Sequence, residues 1–117
     1  MKREELLSKL IKMDTAIEFL NLELAKFGWD SEKDLVILKK QHILEILNKF
    51  LRGEIKQQDI ANWAEAIECR EDIGFETDYK KLISEIIFDL ANSDVAGILS
   101  ENKAKVFIAK LGSIDNK

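Results

Sequence analysis

Apolar positions recur along this chain at helical spacing. Leu6, Leu10, Met13, Ile17, Leu20, Leu24 and Phe27 step alternately by four and three with charged residues between them, the seam of one long amphipathic helix that Gly28 ends. Ser31, with Asp34 three residues on, has the form of a capping box and starts a second helix. Leu35, Leu38, Ile43, Ile46, Leu47, Phe50 and Leu51 give that helix a wide apolar face, and Arg52–Gly53 close it. A third helix is expected over 57–72, with Ile55 and Ile60 at the spacing of a hydrophobic staple and Asp59 in the third helical position. Asp78 is placed to cap a fourth, whose Leu82, Ile83, Ile86, Ile87 and Leu90 form a buried face up to the break at Asn92 and Ser93. Residues 92–100 read as a connecting loop or a short turn of helix. Ser100 caps a last helix bearing Ala104, Phe107, Ile108 and Leu111, Gly112 stops it, and the tail 113–117 is expected to fray.

Proline is absent, and the glycines at 28, 53, 74, 97 and 112 all fall between periodic stretches. No segment alternates with period two for more than a few residues, so strands are not expected. The expected fold is a single all-α domain over residues 1–112, a bundle of about five helices. A chain of 117 residues is long enough to bury one core without disulfides or metal. The heptad seam of the first segment could pair with another chain, but four further amphipathic segments are available to cover it, which favours a monomer.

Composition fits a helical protein whose apolar residues are segregated: 46% apolar beside 34% charged. Cys69 is the one cysteine, so no internal disulfide forms, and the first ten residues carry no apolar run resembling a signal peptide or membrane span. Both facts fit a cytoplasmic chain. The net charge of −4 argues against nucleic acid as the ligand, since phosphate binding needs clustered Lys and Arg.

The negative charge is local. Residues 54–78 hold eight carboxylates (Glu54, Asp59, Glu65, Glu68, Glu71, Asp72, Glu76, Asp78) against Lys56 and Arg70, a net of −6, while the remainder of the chain nearly balances. On an ideal helix Glu65, Glu68, Glu71 and Asp72 share a sector of about 120° beside the arc of Ile60, Trp63 and Ile67. Like charges at these spacings repel by about 0.2–0.5 kcal/mol per pair, a cost that helix stability does not explain. A docking face for a basic protein does explain it, with Glu76 and Asp78 extending the face by one edge. A solvated helix surface is the plainer alternative.

Catalytic chemistry has little to work with. His42 is the one histidine, which excludes a two-histidine metal site; it continues the stripe Leu35, Leu38, Ile46 and reads as a boundary residue with one ring nitrogen bonded locally. Cys69 lies among carboxylates and reads as a small, partly buried side chain. Phosphate-cradling glycine motifs do not occur. No enzyme, cofactor or metal is expected. Trp63 reads as core, while Trp29 either caps the core or anchors an interface.

The stretch Phe50-Leu51-Arg52-Gly53-Glu54-Ile55, followed by Ile60-Ala61-Asn62-Trp63-Ala64 and later by the run Leu82 to Asn92 and Leu99-Ser100, resembles small all-α immunity proteins encoded beside polymorphic or contact-dependent growth-inhibition toxins. The resemblance covers roughly residues 44–112. It implies a cytoplasmic inhibitor that binds a toxin domain, often a nuclease, and blocks its substrate site. It supplies no site residues; Glu65, Glu68, Glu71, Asp72, Glu76 and Asp78 come from the charge pattern. The alternative is a helical adaptor or regulatory subunit that pairs through the long first helix.

Overall fold

The computed structural model describes residues 2–27 and 34–113. Seven α-helices and a two-stranded sheet are found among them: α1 (Arg3–Lys12), α2 (Ile17–Leu24), β1 (Val36–Leu38), α3 (Lys40–Leu51), α4 (Gln57–Glu68), β2 (Ile73–Phe75), α5 (Lys80–Ala91), α6 (Ser93–Ala96) and α7 (Glu101–Ser113). A 3-10 turn over Thr77–Tyr79 leads into α5. The chain is mostly helical, with more and shorter helices than periodicity alone suggests. Gly28, Trp29, Ser31 and the tail beyond Ser113 lie outside the described residues.

The first departure from expectation is the long N-terminal helix, which is broken in two. Met13 adopts the left-handed conformation (φ 54°, ψ 39°), its N–H donates to the Leu10 carbonyl, and the Asp14 N–H donates to that of Lys9. That is a Schellman-type stop with methionine where glycine is usual. A straight helix from Arg3 to Phe27 would be about 37 Å long at 1.5 Å per residue, while the whole molecule measures 37 × 30 × 25 Å. Bending at Met13 lets both halves bury their apolar residues in one core. Leu6, Leu7, Leu10 and Ile11 of α1 and Ile17, Leu20 and Leu24 of α2 are all buried. The seam is continuous in sequence and folded back on itself in space.

A second departure is the sheet. Val36–Leu38 was expected inside a helix and instead pairs in parallel with β2, in the register Val36 to Ile73, Ile37 to Gly74 and Leu38 to Phe75. Asp34 is not in the first turn of a helix, because the helix begins only at Lys40. Its side chain lies over Gly74, where an added Cβ would come within 2.1 Å of Asp34 Oδ2. Three-residue strands are too short for period two to register against a helical pattern. The strands are joined through α3 and α4, as parallel pairing requires a crossover. The turn between those helices is a Schellman motif at Gly53 (φ 78°): the Gly53 N–H donates to the Phe50 carbonyl and the Glu54 N–H to that of Lys49.

Trp63 sits at the middle of the core, with no exposed surface, and its Nε1 donates to the Leu10 carbonyl at 2.8 Å. That one bond ties α4 to the end of α1 and satisfies the indole nitrogen inside the apolar interior. Helix α4 packs most extensively on α5, and α3 is covered by α7. Ser100 caps α7 as its sequence implies, its Oγ accepting from the Lys103 N–H at 3.1 Å. No described helix is long and apolar enough to cross a membrane.

Candidate functional site

The six carboxylates expected to form one acidic face are dispersed by the fold. Helix α4 stops at Glu68 and Cys69 caps it, so Glu71 and Asp72 leave the helical wheel on which they were placed. Glu65, Glu68, Glu71 and Asp78 are exposed. Glu68 turns toward the end of α5, where its Oε2 accepts from Asn92 Nδ2 at 3.2 Å. Glu65 faces the other way, toward α2. Asp78 lies in the 3-10 turn, and Tyr79 rather than Asp78 occupies the cap position of α5.

Asp72 is not part of any docking face: its exposure is 0%. Arg70 grips its carboxylate with two bonds, Nε to Oδ1 at 2.8 Å and Nη2 to Oδ2 at 2.9 Å, and Arg3 adds Nε to Oδ2 at 2.9 Å. Its backbone carbonyl accepts from Leu35 N–H at 2.8 Å at the start of the sheet. Burial pushes the Asp72 carboxyl upward, but the hydrogen bonds and charges of Arg70 and then Arg3 outweigh it and hold the group below its ordinary value. Asp72 therefore joins the start of α1 to the entry of β2. A carboxylate so near a loop glycine looks like surface in sequence, and only its two long-range or bent-back arginine partners permit its burial.

Glu76 is likewise engaged in structure. Its Oε1 accepts from the Lys40 N–H at 3.0 Å, and its own N–H donates to the Leu38 carbonyl at 3.0 Å. The N-terminus of α3 is thus capped from β2's exit. The neighbouring Lys39 N–H donates to Nδ1 of His42 at 2.9 Å, which is the local bond expected of that ring. Desolvation lowers the His42 pKa, so the imidazole is held neutral and accepts at Nδ1. Lys40 itself is buried, its ammonium 4.5 Å from the centre of the Tyr79 ring. Cys69 is exposed rather than partly buried, because α4 ends there.

What the fold does bring together is a groove between α2 and α4. Ile17, Glu18, Asn21 and Ala25 form one wall, Asn62, Glu65 and Ala66 the other, and Arg70 closes an end, around a cavity of about 400 Å³. A second hollow of about 360 Å³ shares Ile17, Glu18 and Asn62 and continues past Asp14 to Asp59. Asp14 and Glu18 are not singled out by sequence, and Asp59 reads as a helix-start residue, where its Oδ2 indeed accepts from the Lys56 N–H at 2.9 Å. Asp14 and Glu18 belong to a segment whose charges balance, and only the packing of α2 on α4 sets them beside Glu65. Spacing held a signal on the other wall: Asp59, Asn62, Glu65 and Ala66 share one side of a helix.

Among the described residues, no group of three His, Cys, Asp or Glu side chains is placed to hold a metal ion. No protein-family model, curated protein or solved structure matches the chain.

Proposed function

We propose that this protein is a non-catalytic inhibitor that binds a basic protein partner, an immunity-type cytoplasmic protein acting on a toxin domain of nuclease character. The observation that carries this reading is the net charge of −6 over residues 54–78, from which Glu65, Glu68 and Glu71 stand exposed on α4 and its exit, a helix fixed to the core by Trp63. A rigid acidic element of this kind attracts and orients a basic cleft of the sort that binds nucleic acid. The similarity of residues 50–55 and 60–64 to immunity proteins points the same way. His42, the residue best suited to proton transfer, is occupied as a helix cap.

A helical adaptor pairing through the first helix finds less support. Of the seam it would use, Leu6, Leu10, Ile17, Leu20 and Leu24 are buried within the chain, Met13 is half-buried and Phe27 is exposed at its end.

The test is to purify the protein with the domain encoded by the adjacent gene and to measure nuclease activity against added inhibitor. Stoichiometric inhibition that weakens as salt rises is expected. A neighbour without toxin activity, or a nuclease unaffected by an excess of this protein, would overturn the proposal.

A further inference from the structure

We propose that the corner formed by the end of α5, α6 and the turn into α7 is the apolar anchor of the partner contact, and that it receives an apolar patch bordered by lysine or arginine. This occupant rests on the basic partner proposed above and names the surface that holds it. Phe88, Val95 and Ile98 are 58%, 82% and 65% exposed. One ammonium gathers their segments: Lys103 Nζ donates to the carbonyls of Ala96 at 3.2 Å and Gly97 at 2.9 Å and pairs with the Asp89 carboxylate. Phe88 adjoins Asp89, and Val95 and Ile98 flank the two carbonyls. Gly97 makes the turn at φ 102° and ψ 145°, a conformation that favours glycine. Ile98 is left outside while the next residue, Leu99, is buried. The corner is tied to α7 before any partner arrives, so its apolar side chains are displayed with little loop freedom left to lose on binding.

Charge decides what covers it. Asn92 Nδ2 donates both to the Phe88 carbonyl at 2.8 Å and to Glu68 Oε2 at 3.2 Å, which sets the Glu68 carboxylate at the edge of the corner and makes the corner continuous with the acidic exit of α4. Glu85, exposed, lies one turn before Phe88 and about 60° from it around α5. Asp94, also exposed, precedes Val95. Residues 82–104 hold four carboxylates against Lys103 alone, and that lysine is engaged with Asp89 and the turn. The cation of α5 on the same side, Lys81, lies two turns before Phe88. A second copy of this chain would bring the same carboxylates against Glu68, Glu85 and Asp94, whereas a basic surface complements them. Large apolar side chains inside a charged rim have the anatomy of an interface core, here with the rim of one sign.

The probe is the domain encoded by the adjacent gene, titrated into the full chain with its methyl groups labelled for NMR. The Val95 and Ile98 methyl signals should shift or broaden on binding, and those of Leu22, an exposed apolar residue of α2, should not. A Val95→Ser, Ile98→Ser double variant should bind about tenfold or more weakly. The salt dependence of its affinity should match that of the parent, since no charge is altered. Both substitutions are at exposed sites, and an unchanged melting curve reports that the variant is folded. Leu22→Ser should bind as the parent does. A folded double variant with parental affinity, or a complex that forms without shifts at the corner, would overturn the assignment while leaving the basic-partner proposal standing. A parent chain that does not bind the domain would overturn both. Self-association of the parent that the double variant abolishes would also overturn the assignment, since the corner would then be a contact between copies.

Discussion

Asp72 and Glu68 differ by four positions and carry the same charge, yet substitutions at the two should have opposite consequences. Removing the charge of Asp72 leaves the guanidiniums of Arg3 and Arg70 without the carboxylate between them. Asp72→Asn should cost about 3–5 kcal/mol, the usual effect of breaking a buried ion pair from one side; urea denaturation measures it. Glu68→Lys alters an exposed position and should change stability by no more than about 0.5 kcal/mol. The pH dependence follows from the same residues. Asp72 has a folded pKa below its unfolded value, so its contribution is present above about pH 4 and is lost as pH falls through the depressed value. His42 is also depressed, so its contribution is present above about pH 6.5 and is lost as pH falls below that. Stability should therefore decline on acidification from neutrality, with the upper part of the decline absent in His42→Gln. A urea midpoint unchanged between pH 7.5 and pH 5 in the parent chain would contradict this role for the ring.

Two glycines show how differently elements can depend on the same residue type. Gly53 has φ 78° and open space where a Cβ would point, so Gly53→Ala should cost about 1 kcal/mol through backbone strain alone. Gly74 has no such φ, but a Cβ would meet the Asp34 carboxylate. Gly74→Ala should destabilise the β1–β2 pairing, and Asp34→Ala in the same chain should restore part of the loss. Denaturation of the two single variants and the double variant tests this coupling; strictly additive changes would show that Asp34 does not restrict the strand. The break between α1 and α2 is a further element-scale outcome. An unbroken seam from Leu6 to Phe27 is what a coiled-coil strand presents, and the left-handed Met13 converts it to two helices that cover one interior.

At the scale of the molecule, burial of that seam leaves no long apolar stripe on α1 for self-pairing. Sedimentation should show a monomer over a wide concentration range, and a concentration-dependent dimer would revive the adaptor alternative. Association with a basic partner should approach about 10⁸–10⁹ M⁻¹s⁻¹ at low salt and slow steeply as salt is added, as stopped-flow mixing can measure. Glu71 and Asp78, both exposed, should act on that approach.

Local information sufficed for the helical class, the Gly53 and Ser100 caps, the core position of Trp63 and the locally bonded ring of His42. Each depends on neighbours within a few residues or on a period repeated over several turns. The surface was less legible. Whether Asp72 is a docking charge or a buried tie depends on Arg3, 69 residues away. Whether Val36–Leu38 is helix or strand depends on Ile73–Phe75. Whether Glu65 faces a plain surface or a groove depends on where α2 lies after the bend at Met13. Periodicity determines which side of an element is buried; the partner that covers it, and the charges that partner brings, are decided only by tertiary packing.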